Sequence, residues 1–150
     1  MSENKTIPFF VGALITSGLG GILLLATNFG GFDGSNYYLG VYVWGGIGAF
    51  SGIYGVPILL TAMCLIYCLI ISILVLRFPE KIPNKMFVRG GFFASIAAFV
   101  LSIVNGIAFA IVAEGEGWWW WFDAGFYGGI IGGLLTAIFF YLGEKVVELP

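Results

Sequence analysis

Polar and apolar positions along this chain separate into long blocks rather than alternating. Four stretches run without Asp, Glu, Lys or Arg: "FFVGALITSGLGGILLLAT" (9–27), "VPILLTAMCLIYCLIISILVL" (56–76), "GGFFASIAAFVLSIVNGIAFAIVA" (90–113) and "AGFYGGIIGGLLTAIFFYL" (124–142). Each approaches the roughly 20 apolar residues that a helix needs to cross about 30 Å of hydrocarbon. The pattern predicts four transmembrane helices at about those bounds. The first stretch is longer than the roughly 7–15 residues of a signal-peptide apolar core, so it reads as a retained span.

The outer segment 28–55 between the first two spans is different. "YYLGVYVWGGIGAFSGIYG", 37–55, is uncharged but dense in glycine. Interior glycines disfavour a helix by about 1 kcal/mol each against alanine. Its opening, Tyr37 to Trp44, is rich in aromatic and β-branched residues, which suits strands. A short sheet or folded loop lying on the membrane surface is expected there, with the second helix starting as early as Ala49.

Composition reinforces the membrane reading. Of 150 residues, 60% are hydrophobic and 9% charged, where a soluble domain carries about a quarter charged residues. So small a globule has no interior large enough to hide that apolar surface. One membrane domain, 1–150, is expected.

Charge placement sets an orientation. The basic residues Lys5, Arg77, Lys81, Lys85, Arg89 and Lys145 fall in the N-terminal tail, the loop between spans two and three, and the C-terminal tail. The other two loops carry Asp33, Glu114, Glu116 and Asp123 and no basic residue. Lys and Arg mark the cytoplasmic side. The protein is expected in a plasma or other cell membrane with both termini in the cytoplasm and the tryptophan loop of "EGEGWWWWFDAGFYGG" (114–129) outside.

Lipid tails are as apolar as leucine, so close packing of small residues must hold such a bundle together. The third span carries Ala94, Ala98, Ser102, Gly106 and Ala110 at every fourth position. The fourth carries Gly125, Gly129, Gly133 and Ala137, and the first Ala13, Ser17 and Gly21. Residues four apart share a helix face, which predicts a tight antiparallel pairing of spans three and four. Leu134, Leu135, Ile138, Phe139 and Phe140 are left for other faces, toward lipid or a partner.

Candidate chemistry is sparse. The chain has no histidine, which removes the commonest metal ligand and proton shuttle near neutral pH. Cys64 and Cys68 share a helix face but fall short of the four ligands zinc takes; they read as small polarisable core residues. Glu114, Glu116 and Asp123 have no nucleophile or anion clamp near them in sequence and read as solvated loop charges. No phosphate-binding glycine loop and no basic nucleic-acid footprint is present. No catalytic, metal-binding or cofactor-binding residue is assigned, and no cofactor or nucleic-acid partner is expected. Asn105 is the one strong polar group well inside a span, expected to bond another helix as a cross-link worth about 1 kcal/mol. Pro57 falls in the first turn of span two, or kinks a helix that starts earlier.

The row Trp118, Trp119, Trp120 and Trp121 follows the third span. Indoles favour the headgroup zone. Four in succession cannot share one side: on a helix they point all round, and on an extended chain they alternate between two faces. An aromatic anchor is the expectation, with some indoles on the Tyr37–Tyr54 segment. With Trp44, the row also offers a contact surface for another membrane protein, since Trp is enriched at binding hot spots.

The order of parts resembles the claudin and peripheral myelin protein superfamily of four-span membrane proteins. "YLGVYVWGG" (38–46) is similar to that family's first outer segment, where a Gly-Leu-Trp element precedes two cysteines. "KMFVRGGFFASIAAFVLSI" (85–103) resembles its third span, and "DAGFYGGIIGGLL" (123–135) the aromatic entry to its fourth. The outer segment here has no cysteine, so the family's disulfide cannot form. The resemblance implies a non-enzymatic scaffold that associates laterally or with a partner.

The sequence thus predicts an all-α integral membrane protein: an antiparallel four-helix transmembrane bundle with a short strand-like outer segment between spans one and two. The expected partners are the lipid bilayer and other membrane subunits or further copies of the chain, as a self-assembling array or an accessory subunit. The rival expectation is a small channel or carrier lined by glycine, serine and Asn105.

Overall fold

The computed structural model describes residues 3–34, 37–42, 55–117 and 119–147. The elements run α1 (Glu3–Ala26), β1 (Asn28–Gly34), β2 (Tyr37–Tyr42), α2 (Gly55–Arg77), α3 (Met86–Gly115), β3 (Trp119–Phe122) and α4 (Ala124–Val146), with a 3₁₀ turn at Pro79–Lys81 before α3. All four α-helices are long and apolar enough to cross a membrane, and the protein is an antiparallel four-helix transmembrane bundle. The helices overrun the apolar stretches by a few residues, as expected of rods that emerge into the headgroups. Pro57 falls in the first turn of the described α2, where its missing N–H costs nothing. An earlier start at Ala49 lies outside the described residues.

α1 packs against α2 and α4, and α3 against the same two helices. The interior divides into two apolar clusters. One gathers Phe10, Ala13, Cys68, Ile71, Val88 and Phe140 toward the basic end. The other gathers Leu24, Phe29, Ile58, Leu65, Ala98 and Phe126 toward the opposite end. Phe140 is therefore not a lipid-facing residue as its neighbours in sequence suggest: it is fully buried, edge-on to Phe10 with ring centroids 5.6 Å apart. It reaches the axis because Gly91 of α3 leaves room for its ring. Leu134, Leu135 and Ile138 are exposed on the outer face, and Phe139 is half-buried.

The non-basic end is capped by a three-stranded antiparallel sheet in the order β2-β1-β3. β2 lies where strand character is expected. The tryptophan strand pairs with β1 rather than with the Tyr37–Tyr42 strand, through Gly30↔Phe122, Gly31↔Trp121, Phe32↔Trp120 and Asp33↔Trp119. β1 is the central strand because it leads directly out of α1, beside the start of α4. The Asp123 amide donates to the Phe29 carbonyl at 3.1 Å, and the Asp123 carboxylate accepts the Ala124 amide at 2.8 Å, capping α4. α3 ends where Gly117 takes φ 70°, a left-handed turn that releases the chain into β3.

Candidate functional site

The tryptophan strand is the most distinctive surface. Extended geometry sends alternate side chains to opposite faces. Trp120 and Phe122 turn inward and meet Phe109, with ring centroids at 6.0 and 6.1 Å from it. Phe122 stacks on Phe126 of α4 at 3.7 Å, and Phe126 sits edge-on to Phe29 at 5.5 Å. These rings close the bundle with an aromatic plug. On the other face, the Trp121 indole lies across Gly31, its strand partner: a β-carbon at Gly31 would meet the indole Cζ2 at 2.6 Å. Gly30 does the same for Phe109, at 2.9 Å to Cε1. The glycine pair in "NFGGF" is thus explained by the rings it must admit on both faces, a reason the sequence alone does not display.

Trp119 is left over. It is 84% exposed and stands on what is, among the described residues, an edge strand of the sheet. Of the expected contact residues, Trp120 and Trp121 are half-buried in the cap, Trp119 is the free indole, and Trp44 and Trp118 lie outside the described residues.

The small residues seat the helices, with corrections. Gly129 packs on Ser102, and a β-carbon at Gly133 would sit 2.7 Å from the Phe99 amide nitrogen, so α3 and α4 approach closely at both. Gly125 faces the Asn28 carbonyl of β1 instead of α3. Gly106 packs on the Phe126 ring. The buried line of α3 runs Gly91, Ser95, Ala98, Ser102, Gly106, Phe109 and Ala113, leaving Ala94 and Ala110 half-buried. The physical reason is drift: at 3.6 residues per turn, each step of four rotates about 40°. A row of five such positions therefore turns out of any straight contact, and the true seam alternates steps of three and four.

A second seam joins α1 to α4. Gly128 and Gly132, adjacent to the expected glycines, face Gly20 and Leu23 of α1. The paired glycines "GG" at 128–129 and 132–133 serve two neighbours at once, since adjacent residues differ by about 100° round the axis. Thr16 and Thr136 meet across this seam, hydroxyl to hydroxyl, at 2.8 Å.

Polar groups inside the bundle stay close to home. Ser17, Thr61, Ser72 and Ser102 each donate to the carbonyl four residues earlier, at 2.6–2.9 Å, and Ser95 to that of Phe92 at 2.8 Å. The Cys68 thiol donates to the Gly91 carbonyl of α3 at 3.2 Å, consistent with a packed core residue. Asn105 departs from expectation: its Nδ2 is buried and has no hydrogen-bond partner among the described residues. The interhelical hydroxyl pair is Thr16–Thr136 instead. Among the described residues no cluster of three or more His, Cys, Asp or Glu is placed to hold a metal ion.

No family model, curated protein or solved structure matches this chain.

Proposed function

We propose that this protein is a non-enzymatic membrane scaffold that works by lateral protein–protein association, either with copies of itself or as an accessory subunit. The observation that carries the reading is Trp119. It projects 84% exposed from an edge strand, beside indoles that the cap has already absorbed. An edge strand offers backbone donors and acceptors to an incoming chain, and an exposed indole supplies an anchor of the kind that dominates interfaces. The architecture of four spans with an outer sheet supports the claudin-like reading; the association surface then lies on the outer leaflet side, with both termini in the cytoplasm.

The packing favours this over the channel or carrier. The bundle axis is filled by Phe10, Phe140, Leu65 and Leu24, and the buried hydroxyls of Ser17, Thr61, Ser72, Ser95 and Ser102 are turned onto their own helices rather than arrayed along a path.

The test is the native mass of the particle purified in mild detergent and in lipid nanodiscs. A multiple of the 16.2 kDa chain, or a stoichiometric complex with foreign subunits, is expected. Trp119→Ala should shift it to the single chain with unchanged helicity. A wild-type particle that holds one chain in a bilayer overturns the reading, as does ion flux in liposomes.

A further inference from the structure

At the end of the bundle opposite the sheet, the first turns of α3 and the last turns of α4 line an open cavity of about 340 Å³, within the roughly 300–1,000 Å³ range of small-ligand sites. Lys85 at the N-cap of α3, Arg89 of α3 and Lys145 of α4 line it, against one carboxylate among the described residues, Glu144. The balance among the described lining residues is two net positive charges. Phe92, Phe93 and Tyr141 form the wall that continues toward the hydrocarbon, with Phe93 62% exposed on the outer surface.

Two of the cations, Arg89 and Lys145, are held in place rather than left loose. Arg89 Nε donates to Glu144 Oε1 at 2.8 Å, while the Arg89 side chain remains 62% exposed and Glu144 only 16%. An ion pair made through Nε fixes the guanidinium over the cavity and leaves its terminal fork for an external oxyanion, the geometry arginine uses for bidentate phosphate binding. Lys145 Nζ donates to the Tyr141 hydroxyl at 2.8 Å and lies 4.0 Å from the centroid of its ring, so the ammonium is pinned on the aromatic wall. The helix dipoles do not decide the sign here: the positive start of α3 and the negative end of α4 lie together and offset each other. The side chains decide it.

We propose that this cavity is a binding site for an anionic phospholipid of the surrounding leaflet, its phosphate held between Arg89, Lys85 and Lys145 and one acyl chain laid along Phe92 and Phe93. Charge complementarity supplies the headgroup preference. The aromatic wall selects a lipid over a free anion, because a soluble phosphate would leave that wall uncovered. The inference rests on the four helices crossing a bilayer and not on the scaffold reading, so either can fail alone.

The experiment is native mass spectrometry of the full chain released from nanodiscs of equal phosphatidylglycerol and phosphatidylcholine. The expected result is preferential retention of one phosphatidylglycerol. Arg89→Gln and Lys145→Gln should each lower that preference about fivefold, the effect of one cation near a membrane surface. Lys81→Gln, a cation of the same end that stacks on Phe78 at 4.6 Å outside the cavity, should leave it unchanged. Circular dichroism checks that each variant keeps its helicity, and Lys145→Gln, which breaks no ion pair, keeps the test open if Arg89→Gln misfolds. Equal retention of both lipids overturns the proposal. So does an equal loss on Lys81→Gln, which would mark diffuse surface charge. Displacement of the lipid by excess inorganic phosphate overturns the choice of a lipid over a soluble anion.

Discussion

Gly20 of α1 and Gly132 of α4 touch backbone to backbone: a β-carbon on Gly132 would lie 2.9 Å from the Gly20 Cα, and one on Gly20 would lie 2.7 Å from the Gly128 carbonyl oxygen. No side chain stands between the two helices there, so neither can yield by changing rotamer. Gly132→Ala should therefore destabilise the bundle by about 1–3 kcal/mol, the cost of overpacking a filled interior. Gly18 is the control. A β-carbon there meets only the Leu69 Cδ1 at 3.4 Å, and alanine is the better helix former. Gly18→Ala should be neutral or slightly stabilising. Reversible unfolding in mixed micelles reads both; equal effects would deny the special closeness of the Gly20–Gly132 contact.

The hydroxyls of Thr16 and Thr136 bridge the same seam at 2.8 Å, and Thr16 also donates to the Gly12 carbonyl at 2.9 Å. Interhelical hydrogen bonds in membranes average only about 0.6 kcal/mol, because the separated helices find other partners. A double-mutant cycle of Thr16→Val and Thr136→Val should return a coupling of about that size. A coupling near zero would mean that each hydroxyl is satisfied by its own helix and that shape alone joins α1 to α4.

These seams show where sequence reading stops. The four spans are legible because length and the absence of charge suffice to place a helix in lipid. The strand at Tyr37–Tyr42 is legible from its aromatic and β-branched residues. The α1–α4 seam is not, because Gly128 and Gly132 look like redundant neighbours of Gly129 and Gly133 until the rotation between adjacent residues assigns each to a different helix. Nor is the burial of Phe140 legible, since only the empty place at Gly91 distinguishes it from the exposed Ile138. The pairing of Trp119–Phe122 with β1 depends on contacts between segments almost ninety positions apart, and periodicity carries no register over that distance.

The proposed orientation rests on the distribution of charge about the bundle. Glu116 is exposed beyond the end of α3 on the sheet side, and Lys81 is exposed beyond α2 on the basic side. In a background with Cys64 and Cys68 replaced by alanine, Glu116→Cys should react with a membrane-impermeant maleimide in intact cells. Lys81→Cys should react only after permeabilisation. The reverse pattern would place the basic end outside, against the rule that Lys and Arg stay in the cytoplasm.

Asn105 separates the scaffold from the conduit more cleanly than any other position. Its Nδ2 is buried without a partner among the described residues, on a helix whose neighbouring Ser102 is satisfied by its own carbonyl ladder. An unpaired buried donor costs about 1–3 kcal/mol. In a scaffold, Asn105→Leu removes that cost while keeping a side chain of similar size, so it should raise stability by roughly 1 kcal/mol and leave the native particle mass unchanged. In a conduit the same amide is held unpaired because a passing solute completes it; the substitution would then also stabilise the fold, but it would abolish flux in proteoliposomes. Stability alone therefore cannot discriminate, and the two measurements must be made on one preparation. Gain of stability with no flux in either protein supports the scaffold. Flux in the wild type that disappears in Asn105→Leu refutes it. A loss of stability would mean that the amide is bonded after all, and that the third helix is cross-linked at Asn105.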